Sequence, residues 1–270
     1  EKSNVNLEDF SIISNNTKIK LEIAFIIIHG SPGENGLIQS YFELKNIPYT
    51  GCDPYTSALT FNKRDCLSVL EKYNIPTANS FHINKNENFK IESIIQKVGL
   101  PCFVKANRSG SSFGVFKVYE ENELKKSINK ALDYDDEVLI ESFLDGIEVS
   151  VGVMNYQNKV KVFGITEIIT ENDFFDYDAK YNGNSKEITP ANISEKQKQI
   201  VTNLSIKIYK KLGMKGFTRS EFIIINDIAY FLEINSIPGM TNESIFPKQA
   251  QTSGISITQL CDEIINQATI

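Results

Sequence analysis

The sequence is short of cysteine, of long apolar runs and of any excess positive charge, and each shortage removes a class of protein. Four cysteines in 270 residues, Cys52, Cys66, Cys102 and Cys261, show neither a disulfide framework nor metal-ligand spacing, so reduced thiols in a cytoplasmic protein are expected. No apolar stretch nears the ~20 residues that a membrane helix needs, and no secretory signal stands out. Lys and Arg number 28 against 34 Asp and Glu, a net charge of −6, which leaves no basic patch for nucleic acid. No internal repeat or low-complexity segment is visible. The chain opens on Glu1, not on methionine; a fragment, a processed product and a chain with further upstream residues all fit that start.

What is present is globular material. Apolar residues make up 41% and charged residues 23%, and 270 residues suffice for two or three lobes. Ile23–Ile28 is an apolar run ending in His29-Gly30, which reads as a buried strand running into a ligand-facing loop, with a second short strand at Ile47–Gly51. Ser57–Tyr73 reads as one helix and Leu100–Lys105 as a strand. Apolar Phe103-Val104 before Lys105 would hold that ammonium on a rigid element, against phosphate. The stretch Arg108–Val115, RSGSSFGV, supplies backbone N–H groups and serine hydroxyls able to wrap an anion. Glu120–Leu132 and Ser194–Leu212 are helical; the latter has a Ser194/Gln197 capping box and an apolar stripe from Ile200 to Leu212.

The densest signal lies at 216–244, GFTRSEFIIINDIAYFLEINSIPGMTNES. Two Ile- and Phe-rich runs flank the turn pair Asn226-Asp227, which reads as a β-hairpin carrying charge where a core strand would carry none. Side chains two apart share a strand face, so Arg219 and Glu221 lie together, as do Glu233 and Asn235. A two-residue loop would place Glu221 opposite Leu232 and send the acids to opposite faces. A three-residue loop, Asn226 to Ile228, places Glu221 opposite Glu233 and Arg219 opposite Asn235, and this register is expected. Two carboxylates and an amide oxygen would then meet at a half-buried spot, a setting for Mg²⁺ shared with nucleotide phosphates. An Arg–Glu ion pair on a solvated sheet face is the plainer alternative. Beyond Asn235 the chain leaves through Pro238 and Gly239, freeing backbone N–H groups for a ligand.

RSEF…FLEINSIPGMTNES resembles the ATP-grasp signature of the D-alanine–D-alanine ligases, R-x-D-F…E-x-N-x-x-P-G-M-T-x-x-S, and the likeness runs in order from about His29 to the C-terminus. It implies an α/β (α+β) ATP-grasp fold of three lobes, here 1–62, 63–143 and 144–270, with nucleotide held between the last two. HGSPGENG resembles the family's H-G-x-x-G-E-D-G, which implies roles for His29 and Glu34 at the amino-acid site, with Asn35 in place of the family's Asp. SALTFNK resembles S-A-x-x-x-x-K, so Lys63 is expected to reach phosphate, as is Lys105, where Ala106 replaces the usual Pro. Ser111 and Ser112 fall in the family's loop over ATP. Glu141, Phe143 and Leu144 match the adenine-binding run, and Glu148 matches the acid on the ribose hydroxyls. FFDYDAKYNG resembles the family's mobile F-Y-D-Y-x-x-K-Y loop, in which Lys180 would contact the terminal phosphate and Tyr181 would bond Ser111.

By the same resemblance, Glu221, Glu233 and Asn235 hold two Mg²⁺ (or Mn²⁺) ions. Arg219 and the Gly239 N–H stabilise an oxyanion, and Ser244 binds the second carboxylate. The implied reaction joins two D-alanines for peptidoglycan through an acyl phosphate. Its partners are ATP and D-alanine only, with no nucleic acid or membrane, in a cytoplasmic homodimer. Two departures stand out: Glu221 replaces the family's Asp, and the family's opening strand with its G-G-x-S-x-E loop is not in this sequence. A D-Ala–D-lactate or other dipeptide ligase, and a non-catalytic nucleotide-binding relative, are the alternatives. Tyr181 favours an amine as second substrate.

Overall fold

The computed structural model describes residues 4–110, 112–170 and 185–268. Among these, the chain opens with a hairpin, β1 (Ser11–Ser14) and β2 (Thr17–Lys20), and three helices, α1 (Leu37–Lys45), α2 (Pro54–Phe61) and α3 (Lys63–Glu71). Next come β3 (Ser80–Asn84), α4 (Ile91–Val98), β4 (Cys102–Ala106), β5 (Val115–Val118), α5 (Glu121–Ala131) and β6 (Glu137–Ser142). The remainder is β7 (Ile147–Tyr156), β8 (Lys159–Thr170), β9 (Ser185–Ile188), α6 (Glu195–Lys211), β10 (Phe217–Ile225), β11 (Ile228–Asn235), α7 (Ile245–Thr252) and α8 (Ile257–Asn266).

Two antiparallel sheets carry the architecture. A four-stranded sheet runs β3-β6-β4-β5 and a five-stranded sheet runs β11-β10-β7-β8-β9. The alternating pattern of β4, with Cys102 and Val104 wholly buried, packs one face of the smaller sheet on α4 and α5 through Ile94, Leu124 and Ile128. The larger sheet is covered on both faces. Val149, Val151 and Val153 of β7 face Val201 and Ile208 of α6, joined by Cys66, Leu67 and Leu70 of α3. Met154 and Phe217 face Phe246 of α7 and Leu260 of α8. The approach of α7 is close. A Cβ on Gly152 would stand 2.2 Å from Gln249 Oε1 and 3.0 Å from the Phe246 ring, so a larger residue there would force the side chains beneath that helix to shift.

Three expectations change. Neither Ile23–Ile28 nor Ile47–Gly51 is a strand: the two share one parallel bridge, Ala24 to Tyr49. Ala24 and Ile26 are buried with Phe42 and Tyr49, whereas Ile27 and Ile28 are 52% and 45% exposed, because no neighbouring strand continues the pairing there. The expected Ser57–Tyr73 helix is two helices. Asn62 leaves helical geometry at φ −88°, ψ 100°, and its side chain accepts the Asp65 N–H at 3.0 Å, starting α3 afresh at Lys63. The α6 capping box at Ser194 and Gln197 is as read from the sequence. No helix among the described residues is long and apolar enough to cross a membrane.

Candidate active site

The β10–β11 hairpin sets the site. Glu221 pairs with Glu233 and Arg219 with Asn235, the register expected from the sequence, but by another route. The turn is a two-residue one: Ile225 pairs with Ile228, and Asn226 (φ 47°) and Asp227 (φ 63°) both adopt the left-handed conformation that a tight hairpin of matching twist requires. A β-bulge between Glu221 and Phe222 then absorbs Leu232 and restores the acids to one face. Along β10 that face runs Phe217, Arg219, Glu221, Ile223. Phe217 lies under α7, and the charged pair follows where the helix cover gives way to the cleft between the sheets.

Two cavities open on this face. The first, about 510 Å³, lies between the sheets. It is lined by Lys105, Glu141, Phe143, Leu144 and Ser112 from the side of the smaller sheet, and by Glu148, Glu221 and Glu233 from the larger. Every described nucleotide-binding residue expected from the sequence is there; Ser111, Lys180 and Tyr181 lie outside the described residues. Phe103, Ile168, Ile223 and Leu232 supply its apolar walls and were not singled out in advance. Only Phe103 carried a signal, standing two before Lys105 on an alternating strand. A second cavity, about 290 Å³, is lined by His29, Glu34, Arg219, Asn235, Gly239 and Ser244. Lys63, Ser109 and Glu233 line both.

Ion pairs organise the charge. Lys105 Nζ lies 2.6 Å from Glu141 Oε2, with side chains only 17% and 3% exposed. Burial works to lower the Lys105 pKa, but the charge and hydrogen bond of Glu141, with Glu233 and Glu148 beyond, outweigh it and raise it. Arg219 pairs with Glu221 at 3.0 Å, the contact that the plainer reading of these strands expects, here on a cleft wall rather than a solvated face. Lys63 donates to the Ser109 carbonyl at 2.6 Å and stands 3.9 Å from Glu233. Burial raises the Glu34 pKa, aided by Glu233 and opposed by the Gly30 N–H, which donates to its carboxylate at 2.6 Å, and by Lys63 and Arg219. Burial and then the nearby Arg219 charge push His29 below its ordinary value, so its imidazole is neutral at neutral pH.

The donor set suits a hard cation in one respect and limits it in another. Glu221 and Glu233 face each other across the hairpin and both reach the first cavity. Asn235 stands two pairs further on, lines only the second cavity, and its Oδ1 already accepts the Ile237 N–H at 2.8 Å. No group of three His, Cys, Asp or Glu able to hold a metal occurs among the described residues. Two carboxylates are too few for a protein-only cage but fit Mg²⁺, which binds through one or two carboxylates while keeping phosphate and water oxygens.

Two antiparallel sheets closing on a cleft, one presenting lysines and a glycine-serine turn and the other an acid-bearing hairpin, define the ATP-grasp class of enzymes. The family model described as D-ala D-ala ligase C-terminus matches residues 69–266, and that described as D-ala D-ala ligase N-terminus matches residues 1–52. The chain belongs to the D-alanine–D-alanine ligase family. The D-alanine–D-alanine ligase of Flavobacterium johnsoniae is 54% identical over 95% of this chain and 79% of its own length. That of Flavobacterium psychrophilum is 52% identical over 99% and 82%. Among solved structures, the VanG D-Ala:D-Ser ligase from Enterococcus faecalis superposes with a TM-score of 0.85 at 32% identity, covering 98% of this chain and 78% of that one. The D-alanine–D-alanine ligase from Bacillus anthracis complexed with ATP gives 0.80 at 28%, covering 92% and 79%.

Proposed function

We propose that this chain joins two D-alanines at the expense of ATP, through an acyl phosphate, to make D-alanyl-D-alanine for peptidoglycan. The observation that carries this reading is the junction. Lys63, Ser109 and Glu233 line both cavities, so a terminal phosphate held in the first meets a carboxylate held in the second. A carboxylate is a poor electrophile, and phosphorylating it creates a leaving group that an amine displaces. The protein's part is positioning and charge neutralisation.

Each residue has a place in that scheme. Phe103, Ile223 and Leu232 wall the purine, the backbone at Phe143 and Leu144 presents its polar edge, and Glu148 faces the ribose. Lys63 and Lys105 neutralise phosphate oxygens, Lys105 being oriented by Glu141. Glu221 and Glu233 would hold Mg²⁺, which when bound screens the phosphates against the incoming carboxylate, and Asn235 would join them only by turning its Oδ1 from the Ile237 N–H. Arg219 and the Gly239 N–H face the position where oxyanion charge develops. Ser244 and the first turn of α7 accept the second carboxylate. His29 is neutral and bonds the Ile237 backbone, fixing the loop around the first substrate. Lys180, Tyr181 and Ser111 complete the site by family resemblance, as do a cytoplasmic location and a homodimer.

The test is a coupled ADP-release assay offering D-alanine, D-serine and D-lactate as second substrate. D-Alanine-dependent release with dipeptide product is expected. Release with D-lactate alone, or none with any acceptor, overturns the reading.

A further inference from the structure

Among the buried polar groups to which the site description gives no role, Asn107 stands nearest to Lys63 in its contacts. Asn107 follows β4, is 1% exposed, and uses both amide donors: Nδ2 bonds Asn62 Oδ1 at 2.8 Å and Glu137 Oε2 at 3.0 Å. Its Oδ1 accepts the Arg64 N–H at 2.8 Å and its carbonyl accepts the Lys63 N–H at 3.4 Å. These are first-turn N–H groups of α3, which have no partner within the helix. Asn107 therefore caps a helix that lies far from it in sequence. Glu137 closes the loop by pairing with Arg64 at 2.7 Å, and Arg108 is pinned next door by Asp135, which accepts its N–H at 2.6 Å.

The packing makes this junction mechanically significant. Cys66, Leu67 and Leu70 seat α3 in the core of the five-stranded sheet, whereas Asn107 directly follows β4 of the four-stranded sheet. The tie joins the two walls of the cleft one residue from Lys63, whose ammonium bonds Ser109 and spans both cavities.

We infer that Asn107 is a positioning residue: it locks the start of α3 to the turn after β4, and so holds Lys63 in register with the phosphates of ATP. The inference rests on the ligase reading for its consequence in turnover but not for its effect on nucleotide affinity.

Asn107→Asp keeps the size, removes both donors and sets a carboxylate against Asn62 Oδ1 and Glu137. Calorimetric Kd for Mg-ATP, measured without D-alanine, is expected to rise about tenfold, the scale of losing hydrogen bonds to a charged acceptor. In turnover, KM for ATP rises and kcat falls while KM for D-alanine stays within about twofold. Adding Glu137→Gln reverses donor and acceptor across the same contact and is expected to recover much of the ATP affinity. A purely structural role would lower the melting temperature of Asn107→Asp and leave ATP Kd unchanged. That outcome, or a double exchange no better than the single, overturns the inference. If Asn107→Asp does not fold, Asn107→Ala decides, since it removes the bonds to Asn62, Glu137 and the Arg64 N–H together: a weaker ATP Kd supports the tie, an unchanged one refutes it. A parent protein that binds ATP but releases no ADP with D-alanine sinks the ligase reading, while the Kd comparison still judges Asn107.

Discussion

Replacing Lys105 with methionine separates what this side chain does for the fold from what it does for ATP. Lys105 and Glu141 form a close ion pair with little solvent access, 2.6 Å apart. Removing one partner leaves the other charge buried, which typically costs 3–5 kcal/mol, and the opening of Lys105 onto the cavity puts this pair near the lower end, about 3 kcal/mol. For a chain of this size that is a fall in melting temperature of about 6–12 °C. Lys105→Met with Glu141→Leu removes both charges and should restore most of that loss, since apolar replacements of buried pairs are often neutral or better. ATP affinity should not return in the double variant, because no ammonium faces the phosphates. The pH dependence follows from the sign of the shift. A lysine pKa raised in the folded state contributes stability that is complete below the ordinary value of 10.5 and fades as pH climbs through the folded value. The difference in stability between parent and Lys105→Met should therefore be flat from pH 6 to about 9 and shrink only in strong alkali. Scanning calorimetry across that range with ATP titrations reads all of this. A single variant melting within about 1 °C of the parent would refute the buried-pair argument.

Three further outcomes are expected. Glu233→Gln removes one of two facing carboxylates, so turnover should drop by about 10²–10³ with the Mg²⁺ requirement shifted upward, and a near-parental rate would remove Glu233 from the metal assignment. Gly239→Ala would set a methyl 2.6 Å from Ser244 Oγ and 3.7 Å from His29 Nε2. KM for D-alanine should rise by about tenfold while ATP affinity holds, and the reverse pattern would misplace the second cavity. His29 titrates below its ordinary 6.5, so kcat/KM should be insensitive to it at pH 7–8 and fall only on acidification. A His29→Gln variant with the same acid limb would exclude this residue as its source.

The hairpin shows where reading a sequence stops. The strand period puts Arg219 with Glu221 and Glu233 with Asn235 on local grounds, since alternation is a property of any extended chain. The facing of Glu221 and Glu233 was also anticipated, but from a longer turn. The left-handed pair Asn226-Asp227 makes a two-residue loop, and the bulge at Leu232 corrects the register further up. The extra residue lies on β11, while β10 pairs with β7 in unbroken register, Glu221 meeting Ser150, and no local pattern encodes either that third strand or the bulge. Lys63 repeats the lesson: its motif is legible, yet its place at a new helix start depends on Asn62 and on Asn107, which directly follows a strand of the other sheet.

The sequence by itself therefore determined which chemistry is available: the lysines, the strand-borne acids, the glycine turns and their order, all written in short spacings that backbone geometry enforces. Only the tertiary structure decided that these segments share a cleft of two cavities meeting at Lys63 and Glu233. That meeting depends on two sheets with separate cores being brought edge to edge, and burial between distant segments leaves no period or spacing in either one.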